Sequence, residues 1–145
     1  MRHLIAAAAL LALPAALDAQ QQQGEPNRGR PSAPVSSAEA LAAVRGRLLL
    51  LVEAQEAHFA DHSSYTTSLT ALKMSGRGQA PSPVVLSITH AGRRAWRATG
   101  HHSAHPNKSC VIFVGKIEDF PLSATKAGGL RPTAAQAGEP VCDEP

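Results

Sequence analysis

The stretch from Ser36 to Tyr65, SSAEALAAVRGRLLLLVEAQEAHFADHSSY, constrains the fold more than any other part of the chain. It reads as one long amphipathic helix with a tight exit. Ser36 and Glu39 match the S-x-x-E capping box, in which the serine oxygen accepts from the N3 amide and the glutamate reaches back to the N-cap amide. Val35 stands at N′, placed to staple onto Ala40, and Pro34 lies just outside, where it removes no helical hydrogen bond. Apolar residues then recur at Leu41, Val44, Leu48, Leu51 or Val52, and Phe59, the three-and-four spacing of one buried face. Arg45, Arg47, Glu53 and Glu56 fall largely off that stripe. His62–Ser63–Ser64–Tyr65 ends the pattern. About 25 residues at 1.5 Å each make a rod of roughly 37 Å, long for a domain of this size.

The run Leu48–Leu49–Leu50–Leu51–Val52 is apolar around more than one turn. Such a segment is either wrapped on more than one side or faces a partner, so Leu48, Leu49, Leu50 and Val52 are the candidate partner-binding residues. Gly46 weakens the helix by roughly 1 kcal/mol relative to alanine.

Ahead of the helix, residues 1–19 have the parts of a secretory signal peptide. Arg2 and His3 form a short basic start, Leu4 to Leu13 is an unbroken apolar run, and small residues lead to Ala19. The run is shorter than the roughly 20 residues of a membrane span. Residues 20–35, rich in Gln, Gly, Pro and Arg without apolar periodicity, read as a flexible tether. The remainder, residues 36–145, is one domain's worth of chain. Cys110 and Cys142 are the only cysteines, and an even pair in an exported chain reads as a disulfide.

After the helix, Thr66 or Thr67 is placed to cap a short turn over Ser68–Leu72, with Leu69, Leu72 and Tyr65 turned inward. Lys73–Pro83 is a loop by its Gly, Ser and Pro content. Alternation predicts a strand over Pro83–Ala91, with Val84, Leu86, Ile88 and His90 on one face. A second follows over Ala95–His102, with Trp96, Ala98 and Gly100 on one face. Ser103–Lys108 reads as a loop. Ser109–Lys116 is the most apolar strand and is expected centrally or covered on both sides. From Ile117 onward no period persists, and Cys142 would staple this tail to the third strand. The fold class is therefore α+β: a long N-terminal helix packed on a three- or four-stranded antiparallel sheet, with a disulfide-tied C-terminal loop.

This order of features resembles the globular domain of type IV pilin-like proteins and pseudopilins. The resemblance rests on Leu51–Leu72 (LVEAQEAHFADHSSYTTSLTAL), the Val84–Ile88 strand, the Trp96–Ala98 strand ending near His101 and His102, Cys110–Gly115 (CVIFVG) and Pro140–Asp143 (PVCD). It spans Ala38 to Asp143. The family's basic leader ending in glycine, with its following phenylalanine and glutamate, has no counterpart here; the signal-like segment and the tether stand in its place. The resemblance implies a pilin-like domain exported to the periplasm or beyond the cell, accessory to a type IV pilus or type II secretion-like assembly. Its partner would be another protein or a second copy of itself.

Arg93, Arg94 and Arg97, with His90 and Trp96 nearby, form the densest basic patch and the candidate anion-binding residues. They support the alternative function, a soluble binder of an anionic polymer, whose affinity would fall steeply with salt. A solvated hairpin tip is the plainer account, since Trp96 reads as a core residue and the net charge of +3 is too small to argue for nucleic acid. His58 and His62 share a helical face, but HFADH lacks the glutamate of H-E-x-x-H. His101, His102 and His105 lack a fourth ligand, and neighbours on a strand point to opposite faces. Asp61, His62, Ser63 and Ser64 carry the residue types of a hydrolase triad without a G-x-S-x-G elbow. The glycines at 76 and 78 precede no helix start. The expectation is a non-enzymatic protein without metal or cofactor.

Overall fold

The computed structural model describes residues 33–75, 82–116, 118 and 120–145. The chain divides into two units, Met1–Ala33 and Pro34–Pro145, and the second is the one described. The segment expected to be a signal peptide, the expected tether up to residue 32 and the glycines at 76 and 78 lie outside the described residues.

Helix α1 runs from Ser37 to His62. Its capping box is formed in full. The Ser36 amide donates to Glu39 Oε2 at 2.9 Å, and the Glu39 amide donates to Ser36 Oγ at 3.3 Å. The Ser36 hydroxyl, then its amide, hold the Glu39 carboxyl below the ordinary carboxylate range. At the other end Ser63 takes a left-handed conformation (φ 54°) and donates its N–H to the Phe59 carbonyl at 2.7 Å, a helix end that satisfies one of the orphan carbonyls.

Four strands follow: β1 Val84–Ala91, β2 Trp96–His102, β3 His105–Val114 and β4 Val141–Cys142. They form one antiparallel sheet in the order β1-β2-β3-β4. The fold is thus α+β, with α1 across one face of a four-stranded sheet. Cys110 and Cys142 are register partners on β3 and β4 and are joined by a disulfide. β3 is buried on both sides, Cys110 and Ile112 facing α1 while Val111 and Phe113 point to the opposite face.

Two expectations are corrected by irregular pairing. Ile88 pairs with Ala98 but His90 pairs with Arg97, so Thr89 is an extra residue on β1. This bulge inverts the alternation: Ala91 joins the core, while His90 leaves the face of Val84, Leu86 and Ile88 for the opposite one. The segment Ser103–Lys108 is likewise not one loop. β3 begins at His105, and only Ser103 and Ala104 turn the chain. The strand absorbs Pro106 because the register slips between Gly100 and His102, and a bulge is where proline's missing donor costs least. Two side chains cap the short turn in succession, Thr66 at its start and Ser68 within it. The Ser68 hydroxyl oxygen accepts from the Ala71 amide at 3.1 Å, and the Thr66 hydroxyl oxygen accepts from the Ser68 amide.

The core lies between α1 and the sheet. Leu41, Val44, Leu48 and Leu51 meet Val84, Ile88, Trp96, Ala98, Cys110 and Ile112. Gly100 lets the layers come together: a Cβ there would stand 2.9 Å from Val44 Cγ1 and 2.8 Å from Leu86 Cδ2. The opposite face carries a small cluster of Ala95, Phe113 and Phe120, with Leu122 packed against it.

One core position is polar. Gln55 is fully buried on the stripe of Leu48 and Leu51. Its Nε2 donates to the Thr66 carbonyl at 2.7 Å and its Oε1 accepts from the Thr66 amide at 3.1 Å. The side-chain amide thus pairs with one residue's backbone as a neighbouring strand would, and it fixes the chain as it leaves the helix. Gln55→Ala removes the partners of two part-buried backbone groups and leaves a cavity in the core, and an unsatisfied buried group costs about 1–3 kcal/mol. The expected loss is about 2–3 kcal/mol in denaturant unfolding, with faster hydrogen exchange at the Thr66 amide. A loss under about 0.5 kcal/mol would contradict this account.

Candidate functional site

Of the candidate partner-binding residues, the structure places only two on the surface. Leu48 is completely buried and Val52 is half-buried against the core; their assignment as contact residues is corrected by the helical row they share with Leu41, Leu51 and Gln55. Leu49 and Leu50, roughly 100° and 200° further round, point outward at 45% and 48% exposure. Gly46 lies a turn before them, and a Cβ there would meet nothing within 4 Å. Beside this face a groove of about 540 Å³ runs between the first half of α1 and the last residues of the chain. Ala42, Arg45, Gly46 and Leu49 form one wall, and Cys142 to Pro145 form the other.

The second wall is held by Asp143. This residue is 3% exposed. Its Oδ2 accepts from the amides of Ser109 at 2.8 Å and Ala127 at 3.0 Å, and its Oδ1 accepts from the amide of Gly128 at 2.6 Å. Burial alone would raise the carboxyl; the Thr125 hydroxyl and the three amides outweigh it and bring the pKa down to about 2. Hydrogen bonds to the charged form favour that form. One carboxylate therefore ties β3, the Thr125–Gly128 turn and the C-terminal residues together.

The arginines of the β1–β2 hairpin surround His90 in two settings. Arg93 and Arg94 stand exposed at the tip, where with His90, Gly92 and Ala95 they line a shallow depression of about 150 Å³. Arg97, on β2, is held by contacts of its own. Its Nε donates to Thr89 Oγ1 at 3.1 Å, and its guanidinium carbon lies 5.8 Å from the centre of the Phe120 ring. His90 stacks on the same ring at 4.9 Å. Phe120 is 6% exposed, so this aromatic seals the outer cluster and offers no open stacking face. Trp96 is fully buried, as its place on β2 implies.

The histidines are spread over separate local contacts. The rings of His58 and His62 stack at 4.0 Å, and His62 Nδ1 donates to the His58 carbonyl at 3.0 Å. His101 and His102 point to opposite faces. Burial, then the charge of Lys126, lowers the His101 pKa. His102 is buried and accepts the Ala104 amide at Nδ1, at 3.1 Å. His105 Nε2 donates to the Val35 carbonyl at 2.8 Å, pinning the entry to α1 against the β2–β3 turn. Among the described residues no three His, Cys, Asp or Glu side chains are placed to hold a metal. Of the triad residue types, Ser63 serves as the helix end and the Ser64 hydroxyl turns to the His62 carbonyl, at 3.5 Å, rather than to its ring.

No known protein family matches the chain, and no curated protein is significantly similar to it. Among the described residues no helix is long and apolar enough to cross a membrane. The outward face of α1 pairs two adjacent exposed leucines with a groove beside them. Sequence reasoning missed Gln55, Phe120 and Asp143. Gln55 had a signal, a polar residue four places after Leu51 on the apolar row. Asp143 had only its place beside Cys142, and Phe120 lies where no periodicity persists.

Proposed function

We propose that this chain is an exported, non-enzymatic interaction module with a pilin-like domain, acting in the periplasm or outside the cell and binding a protein partner through the outward face of α1. The observation that carries this reading is the adjacent pair Leu49 and Leu50, both nearly half exposed beside an open Gly46. Polar side chains would serve equally well on a helix face that only meets water. The open face with the groove beside it instead has the form of a recognition groove for an extended or helical element.

Two further features support the reading. The long capped helix across an antiparallel sheet, closed by a disulfide near the C-terminus, is the architecture that the resemblance to pilin-like domains implies. A disulfide persists in oxidising compartments, which fits the signal-like start. A role as an accessory of a pilus or secretion assembly follows from the same resemblance.

The test is Leu49→Arg. The side chain is exposed, so folding is expected to stay within about 0.5 kcal/mol of the parent. In-cell crosslinking from the α1 face is expected to lose its specific adduct. An unchanged adduct, with the variant folded, would sink the proposal.

A further inference from the structure

We infer that the partner of the α1 face is a second copy of this chain, with the two α1 helices packed antiparallel across a two-fold axis at Leu49. The inference rests on the preceding reading of that face as a contact surface.

A two-fold interface must be self-complementary, because the same patch lies on both sides. The row Arg45, Leu49, Glu53 has this property. Its members are four residues apart and lie along one side of the helix. Inverting the row about Leu49 sets Arg45 of each copy opposite Glu53 of the other, with the two Leu49 side chains between the two ion pairs. A parallel arrangement would oppose arginine to arginine and glutamate to glutamate. The charges therefore select the antiparallel orientation, as charge placement does in helical pairs generally.

Within one chain the same charges have no use for each other. Arg45 and Glu53 are eight residues apart, about 12 Å along the axis. Among the described residues neither has an ion-pair or hydrogen-bond partner.

The relief of the surface agrees with this orientation. Ala42 and Gly46 lower the wall beside Leu49, and nothing occupies the space above Gly46. The groove runs along the first half of α1. Antiparallel placement lays the second half of the other copy's α1 over it, from Leu49 toward Ala57. The apolar centre is small and the ion pairs are solvent-facing, so the dimer is expected to be reversible, concentration-dependent and weakened by salt.

The experiment is sedimentation velocity on the purified protein over a wide concentration range, with its disulfide intact. The parent is expected to dimerise. Arg45→Glu alone and Glu53→Arg alone are each expected to weaken dimerisation about ten-fold or more, and the two together are expected to restore most of it. Leu49→Cys, on the axis, is expected to crosslink two copies on mild oxidation, whereas Val85→Cys, on an exposed part of β1, is not. A parent that stays monomeric at the highest concentration, or a double charge reversal that restores nothing, would overturn the inference. If the parent is monomeric while Leu49→Arg still removes an adduct to another protein in cells, self-pairing falls and the contact surface stands. If neither dimer nor adduct responds to Leu49→Arg, both fall.

Discussion

Asp143→Ala is expected to destabilise the domain by roughly 3 kcal/mol. The substitution takes one acceptor from three backbone amides, at Ser109, Ala127 and Gly128, and from the Thr125 hydroxyl. Hydrogen bonds to a charged acceptor are the stronger kind, and a buried donor left without a partner costs about 1–3 kcal/mol. Local relaxation and water recover part of that sum, because Ala127 and Gly128 lie on an exposed turn. Asp143→Asn is expected to lose nearly as much, since its amide group turns a donor toward donors. Denaturant unfolding measures the loss, and hydrogen exchange locates it at residues 125–130 and 141–144. A cost below about 1 kcal/mol for the alanine variant would show that water replaces the carboxylate at little penalty.

The same carboxylate gives the domain an acid-sensitive step. Its folded pKa of about 2 lies below the ordinary 3.8. A depressed pKa means that the ionised form is favoured by folding. The contribution is complete above about pH 5 and is lost as pH falls through the folded value of about 2; both folded and unfolded states hold the proton only below about pH 1. The shift corresponds to roughly 2 kcal/mol. Stability measured from pH 5 to pH 2 should fall by about that amount more in the parent than in Asp143→Asn. Parallel curves for the two proteins would remove Asp143 as the source.

The difference between what could and could not be read from the sequence follows the range of the interactions. The α1 helix was legible to within a residue or two because its determinants are local: Ser36 and Glu39 are three residues apart, and the buried stripe repeats every three or four. The three long strands were legible from alternation, and β3's double burial from its unbroken apolar run. Failures began where one residue was out of step. Thr89 carries nothing that marks it as a bulge, yet it moves His90 from the helix side of the sheet to the other side, where it stacks on Phe120. Pro106 argued for a loop, whereas register slippage made room for it in a strand. The candidate surface suffered in another way. Five consecutive apolar residues reveal that some face outward, but which ones depends on the rotation of α1 against the sheet. That rotation is set by contacts such as Val44 against Gly100, more than fifty residues away in sequence. The contacts of Arg97 were hidden for the same reason. Arg97 is three residues from Arg94, but Thr89 and Phe120, which claim it, come from other elements.

Removing the Cys110–Cys142 disulfide is expected to cost more than any single side chain discussed here. The bond closes a separation of 32 residues, for which the chain-entropy relation gives about 3.5–4 kcal/mol. Without it the far end is held by isolated hydrogen bonds, from the Gly138 amide to the Phe113 carbonyl, the Asp143 amide to the Ser109 carbonyl and Lys108 Nζ to the Glu144 carbonyl. β4 contributes two residues of pairing at the sheet's edge, and a three-residue 3-10 turn, Ala134–Gln136, lies in the segment between β3 and β4. The Asp143 carboxylate is the strongest of the remaining fastenings, one residue from the bond, and the two should not act independently. Once Cys142 is released, the carboxylate must be brought back to Ser109 against the freedom of the whole tail. Its hydrogen bonds then yield less than they do in the closed loop. A double-mutant cycle between Cys110→Ala/Cys142→Ala and Asp143→Ala should therefore be sub-additive, the combined cost falling at least about 1 kcal/mol short of the sum. Release of the tail also strips Phe120 and Leu122 from Phe113 and opens the second wall of the α1 groove. The disulfide-free protein is thus expected to show faster exchange on the outer side of β3 and weakened dimerisation, while exchange along α1 stays slow. Full additivity, with dimerisation unchanged, would mean that the tail keeps its place through Asp143 alone and that the disulfide acts only on the unfolded chain.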